Sequence, residues 1–333
     1  MSSILTNMSA ITALQTLRAV NSSMSVVQQQ ASSGLRVSDA SDDAAYWSVA
    51  TAMRSDSLAL SSAQDALGLG AAKADTAYAG VSAVVDLMKE FKARLVIATE
   101  DGVDRTKVDL ELSQLRGQMR SVVENSSFSG ENWLHLTDEN WQDWIEPKEV
   151  VSGVVRNRQG DISLTSVDFG KGLSNVTGVD DLSVLIDDTA GANTGESGLL
   201  TSDQVAIGLG LQQAYVVMHT KGAAHNSMGI EIALTATTTA TEVSDMIEVV
   251  EVVLAQTIRL ASQLGSLSSR IDLQTAFSDK LSDSIDQGIG RLVDAEMSET
   301  STRLKALQTQ QQLATQALSI ANSSSGTLLQ LFR

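Results

Sequence analysis

"LSSAQDALGLGAAKADTAYAGVSAVVDLMKEFKARLVIA", residues 60–98, decides the fold. Leu60, Ala63, Leu67, Gly70, Ala74, Ala77, Val81, Val84, Met88, Phe91, Leu95 and Ala98 follow one another in alternating steps of three and four without a slip. On a helix this spacing lays small and apolar side chains along a single seam, the heptad pattern of a coiled coil. The first half of the seam is mainly Ala and Gly. Such residues provide little apolar area but let a partner backbone come close, so a tight multi-helix contact is expected. "TEDGVD" (99–104) ends the run at Gly102.

A second seam answers the first. Thr239 and Glu242 read as a capping box, and Val243, Met246, Val250, Val253, Thr257, Leu260, Leu264, Leu267 and Ile271 repeat the same alternation. A shorter helix is marked by Val108, Leu112, Leu115, Met119 and Val122 and stopped by "NSSFSG" (125–130). Towards the start of the chain, Ile4, Met8, Ile11, Leu14, Leu17, Val20, Met24, Val27, Ala31 and Leu35 predict a helix of about thirty residues, roughly 45 Å long. "SSGLRVSDASDD" (32–43) breaks it, with Gly34 suited to a helix end and Ser41, Asp42 and Asp43 to the next helix start. The last segment carries the seam Leu304, Leu307, Gln311, Ala314, Leu318, Ala321, Ser325 and Leu328, too polar for a strong zipper. Alone, such a helix is marginal.

Between the arms, residues 131–240 change character. "EVVSGVVRN" (149–157) and "DISLTSVDF" (161–169), joined by "RQG", read as a hairpin, and "VDDLSVLIDD" (179–188) offers a further strand. "DQVAIGLGLQQAYVVMH" (203–219) is helix-like, within a stretch that periodicity leaves ambiguous. The expected class is therefore mainly α with a smaller α+β or β insertion. Long N- and C-terminal helices pair as coiled-coil-like arms around a variable outer domain, and both chain ends meet at one end of the molecule.

The charge distribution is uneven. The net charge is −17, yet all 40 acidic residues lie from Asp39 to Glu299, and "ALQTQQQLATQALSIANSSSGTLLQLF" (306–332) has no charged side chain. With no basic run, the chain is not expected to bind nucleic acid or an anionic membrane. No stretch approaches eighteen apolar residues, the length a membrane-spanning helix needs. The start, "MSSILTNMSAITALQTLRAV", does not read as a Sec-type signal. Cysteine is absent, which removes disulfides and thiolate chemistry. One proline and 4% aromatics suit long unbroken helices.

Catalytic motifs are not expected either. His135, His219 and His225 form no H-E-x-x-H, and no Walker A, dinucleotide-binding or G-x-S-x-G sequence occurs. No enzyme activity, cofactor or metal is predicted. The pairs Asp42/Asp43, Asp180/Asp181 and Asp187/Asp188 read as solvated acid or helix-dipole complements. Trp133, Trp141 and Trp144 in "ENWLHLTDENWQDW" (131–144) form either a satellite core or an outer platform for a sugar or a neighbouring subunit.

Three stretches carry a resemblance. "SSGLRVSDASDDAAYWSVA" (32–50), "NSSFSGENWL" (125–134) and the tail from "RLVDAEMSETSTRLKALQTQQQLATQALSIANSSS" (291–325) closely resemble bacterial flagellins, the tail being nearest to those of rhizobial alphaproteobacteria. The resemblance covers roughly residues 1–135 and 240–333. It implies a structural subunit that self-assembles into the extracellular flagellar filament, exported through the flagellum's own channel. The implied parts are an inner-tube helix and linker at 1–40, a helical arm at 41–135, an outer variable domain at 136–240, a second arm at 241–290 and an inner-tube helix at 291–333. Implied partners are copies of itself, alone or with related flagellins, the export machinery with a chaperone, and hook-associated junction and cap proteins. Expected at the polymerisation interface are Ile4, Met8, Ile11, Leu14, Leu17, Gly34, Leu35, Arg36, Asp42, Asp43, Leu304, Leu307, Leu318, Leu328, Leu329, Leu331 and Phe332. Tyr46 and Trp47 depart from the commoner form, which has small residues there. A hook–filament junction protein and a surface glycan-binding homologue are the alternative readings.

Against this background the uncharged tail has a mechanical reason. Many copies of one segment packed around a common axis would bring like charges together in a partly dry environment. The tail is expected to be disordered in the monomer and helical in the filament.

Overall fold

The computed structural model describes residues 7–137, 148–156, 162–169, 184–188, 198–211, 213–220 and 229–331. Long helices dominate: α1 (Met8–Ser33), α2 (Ala44–Ile97), α3 (Arg105–Asn125), α5 (Ala240–Val293) and α6 (Met297–Leu331), with the short α4 (Gln204–Gly208) between α3 and α5. Polar caps set their limits. Asn7 Oδ1 accepts the Ala10 N–H at 3.0 Å to start α1, and Gly34, at φ 72°, closes it by donating its N–H to Gln30 O at 2.9 Å. Asp43 Oδ1 accepts the N–H groups of Ala45 and Tyr46 at the start of α2. The capping box at the start of α5 forms as read, with Thr239 N–H donating to Glu242 at 2.6 Å and Glu242 N–H to Thr239 Oγ1 at 3.3 Å.

The chain divides into two compact units, one of Met1–Ala59 with Lys280–Arg333 and one of Leu60–Asp279. In the second unit both seams are buried throughout, from Leu60 to Ala98 on α2 and from Val243 to Ile271 on α5. Phe91, Met88, Leu95 and Leu264 have no exposed surface. The pairing keeps step: Gln64 faces Asp279, Asp75 faces Ser268, Tyr78 lies over Gly265 and Lys92 faces Glu251. Each advance along α2 is matched by an equal retreat along α5, as a heptad seam requires of an antiparallel pair. On α3, Val108, Leu112, Leu115 and Met119 are buried as expected, but Val123 rather than Val122 is the last buried residue. The final step is four residues instead of three, within the tolerance of a 3.6-residue turn.

Along the Ala and Gly half of the α2 seam α5 lies alongside, as expected of a helix partner, and at Gly70 a strand comes close as well. Strands β4 (Lys148–Arg156) and β5 (Ile162–Phe169) form an antiparallel hairpin with a register shift between Val151 and Gly153, and Val150 packs where a Cβ on Gly70 would collide with its Cγ1. After α3 comes a two-residue hairpin, β1 (Ser127–Phe128) with β2 (Glu131–Asn132), whose turn residues Ser129 and Gly130 have φ 54° and 84°. Short parallel pairs then join β3 (His135–Leu136) to β6 (Ile186–Asp187), and β7 (Tyr215–Val216) to β8 (Ile230–Glu231). Among the described residues of the helix-like stretch 203–219, only α4 is helical. Tyr215, Val216, Val217 and Met218 are all buried, and a run buried on both faces looks alike in a helix and a strand.

Two arginines one turn apart on α3 tie the insertion down. Arg116 Nη1 reaches Glu231 Oε1 at 2.7 Å and the Ile232 carbonyl at 2.6 Å, while Arg120 Nη1 and His135 Nε2 both meet Asp188 Oδ2, at 2.8 and 3.0 Å. Trp133 is 3% exposed and packs in the same core as the seams, so it presents no open face to a sugar. Trp141 and Trp144 lie outside the described residues.

Candidate assembly surface

In the unit of Met1–Ala59 with Lys280–Arg333, α1 packs antiparallel on α6. Asn7 Nδ2 donates to Ala321 O at 2.8 Å near one end of the pair, and Gln311 Nε2 donates to Asn21 Oδ1 at 2.9 Å further along. The second contact explains the polar residue in the α6 seam, because Gln311 meets a polar partner rather than a gap in a zipper. The tail expected to fold only against neighbours is held as a helix to Leu331. Over its first part, from Gln311 to Ala321, α1 lies against it within the chain.

This pair is far less buried than the seams of the other unit. Along α1, Leu14, Leu17, Val20 and Met24 are half-buried and Val27 is buried, while Met8 is 70% and Ile11 44% exposed. Along α6, Leu304, Leu307 and Leu318 are half-buried and Ala314 is buried, while Leu313 is 61% and Ile320 69% exposed. Among the described residues, the two helices pack on each other along one side and leave these apolar side chains exposed. With one arginine within α1 and no charge over 306–332, little on these faces would oppose further helices. Ile4 and Phe332 lie outside the described residues; Leu328, Leu329 and Leu331 are on α6, and their side chains are not among those described.

The linker residues act within the chain. Leu35 and Asp294 form an antiparallel bridge, in which the Arg36 and Val37 N–H groups donate to Val293 O at 2.7 and 3.2 Å and Ala295 N–H donates to Gly34 O at 2.8 Å. Val37, Ala50 and Val293 form a small core, against which Leu35, Trp47, Ile289 and Leu292 pack. Asp42 Oδ2 accepts the Ser38 N–H and Oγ–H, both at 3.0 Å, and the Asp39 N–H at 3.2 Å. Those bonds, the Ser38 N–H first, hold its carboxyl below the ordinary 3.8. The sequence singled out Gly34, Leu35, Arg36, Asp42 and Asp43 but missed Val37, Val293 and Ala295. A short apolar-polar-small triplet between two periodic helices gives no signal of pairing with a loop some 250 residues away.

Comparison with known proteins agrees with this architecture. The bacterial flagellin N-terminal helical region matches residues 4–138 and the bacterial flagellin C-terminal helical region matches residues 247–332. Flagellin A of Rhizobium meliloti (strain 1021) is 44% identical over an alignment of 397 residues, and flagellin C of the same strain is 44% identical over 338. A flagellin of Brucella melitensis biotype 1 is 38% identical over 336 residues, and all three alignments cover 100% of both chains. With both helical regions matched in order and full-length relatives well above 30% identity, the chain belongs to the bacterial flagellin family.

Proposed function

We propose that this flagellin, a structural subunit that self-assembles into the extracellular filament of the bacterial flagellum for swimming, polymerises through its α1–α6 pair. The observation that carries the reading is the row of exposed apolar side chains, Met8 and Ile11 on α1 with Leu313 and Ile320 on α6, on helices almost free of charge. Neighbouring pairs bury these faces, and the half-buried Leu14, Leu17, Leu304, Leu307 and Leu318 complete the contact. Gly34, Leu35, Arg36, Asp42 and Asp43 act one step back, by shaping the junction from which the pair emerges.

In this reading residues 1–40 and 291–333 build the inner tube, 41–135 and 241–290 the arms around it, and 136–240 the outward domain. The two family matches leave 139–246 between them, which supports an insertion of separate character. The subunit leaves the cell through the flagellar export machinery with the help of a chaperone, and it meets the hook-associated junction proteins at the filament's base and the cap at its tip. The uncharged tail supports such a route, since a chaperone can cover an apolar helix without having to neutralise charge.

A charge placed at an exposed apolar position tests the interface without disturbing the subunit. Ile320→Asp should leave the circular dichroism of the monomer unchanged and reduce the protein that pellets after salt-induced assembly to a small fraction. Pelleting equal to that of the unsubstituted chain would refute the assignment.

A further inference from the structure

We infer that Arg36 and Tyr46 are positioning residues of assembly, their cation–π contact fixing the angle at which the α1–α6 pair leaves the junction with α2 and α5. The inference rests on the reading of that pair as the assembling surface. At this junction α1 ends at Ser33, α2 begins at Ala44, α5 ends at Val293 and α6 begins at Met297, so only residues 294–296 separate the last two helices. Arg36 touches three of these helices. Its N–H donates to Val293 O and its Nη2 to Leu292 O, both at 2.7 Å; its Cζ stands 5.3 Å from the centre of the Tyr46 ring; its carbonyl accepts the Gln30 side-chain amide at 3.4 Å.

The two aromatic residues at the start of α2 divide the work. Trp47 packs against the small core of Val37, Ala50 and Val293, whereas Tyr46 is 43% exposed and turns its ring face to the guanidinium. A ring so exposed contributes little as core filling. Its face holds a cation that is also bonded to the last turn of α5, a double task that suits planar guanidinium and not the ammonium of lysine. In a helical polymer one junction geometry recurs in every copy, so a small change of angle adds along the assembly. A loosened Arg36–Tyr46 contact therefore shows in filament form more than in subunit stability.

Tyr46→Phe keeps the ring face, Tyr46→Leu keeps the bulk without it, and Arg36→Lys keeps the charge without the plane. In the full-length monomer, amide exchange at Val37 and Ala295 reads the junction directly, because their N–H groups bridge the two loops. Tyr46→Leu should speed exchange there about two- to five-fold, the size expected of an exposed cation–π contact, and Tyr46→Phe should not. In electron micrographs, filaments of Tyr46→Leu and Arg36→Lys should differ in helical pitch from the parent, with Tyr46→Phe matching the parent. Parent-like exchange and pitch in Tyr46→Leu would overturn the inference, as would a Tyr46→Phe effect as large as that of Tyr46→Leu. Faster exchange with unchanged pitch would also overturn it, leaving a local brace without a positioning role. If the unsubstituted chain formed no filaments, the assembly reading would fall instead, and exchange would still decide whether the contact braces the junction.

Discussion

Asn7 and Ala321 stand 314 residues apart in sequence and are joined by a 2.8 Å hydrogen bond, from the Asn7 side-chain amide to the Ala321 carbonyl. The same Asn7 caps α1 through its Oδ1, so one side chain both starts the first helix and holds the last one against it. These two jobs can be separated. Asn7→Asp keeps an acceptor for the cap and loses the donor, so α1 should stay helical while exchange near Ala321 quickens. The expected loss is about 0.5–1.5 kcal/mol, that of one hydrogen bond. Equal loosening of α1 and α6 would show that the cap, not the tie, was affected.

The seam of the Leu60–Asp279 unit makes a quantitative prediction. Phe91 is fully buried, and Phe91→Ala should cost about 3–5 kcal/mol in urea unfolding, because it leaves a cavity among side chains that cannot all collapse. Met88→Leu, a volume-conserving change at an equally buried site, should cost less than about 1.5 kcal/mol. Similar losses for both would mean that the seam is loosely packed.

Gly70 and Val150 should behave as a coupled pair. Gly70→Ala sets a Cβ against Val150 Cγ1 and should destabilise by about 1–3 kcal/mol through overpacking, despite alanine's better helix propensity. Adding Val150→Ala should recover part of that loss, and a double-mutant cycle without coupling would contradict the contact.

Some of these pairings are written in the sequence and others are not. The partnership of α2 with α5 was legible because a strict alternation of steps is a long-range statement made by local spacing, and Thr239 with Glu242 marked where the second seam begins. The partner of Gly70 was not legible. A small residue announces that something comes close without saying what, and the close approach came from a strand. Nor was the α4 region, where burial on every side erases the periodicity that distinguishes helix from strand. On the α1–α6 pair, the apolar spacing of α1 and the lack of charge over 306–332 were readable, but the exposed Leu313 and Ile320 lie off the seam that the spacing marked. The bridge from Leu35 to Asp294 was not readable, since main-chain pairing of two short loops leaves no mark on side-chain pattern.

Acid should act at the linker. Asp42 is held below its ordinary 3.8, so its contribution to stability is fully present above that value and is lost as pH falls through the lower, folded-state value. Protection of the Ser38 and Asp39 amides, which donate to Asp42, should hold from neutrality to about pH 4 and fall below it. Asp42→Asn should remove the acid dependence at these amides; an unchanged profile would assign it to another group.

If subunits join through the α1–α6 pair, removing most of α6 takes away half of what one subunit offers to the next. Deletion of residues 306–333 takes away most of α6 and none of the Leu60–Asp279 unit. Circular dichroism and cooperative unfolding of that unit should persist, while electron microscopy after salt-induced assembly should show no filaments. Filaments of normal length from the truncated chain would contradict the account.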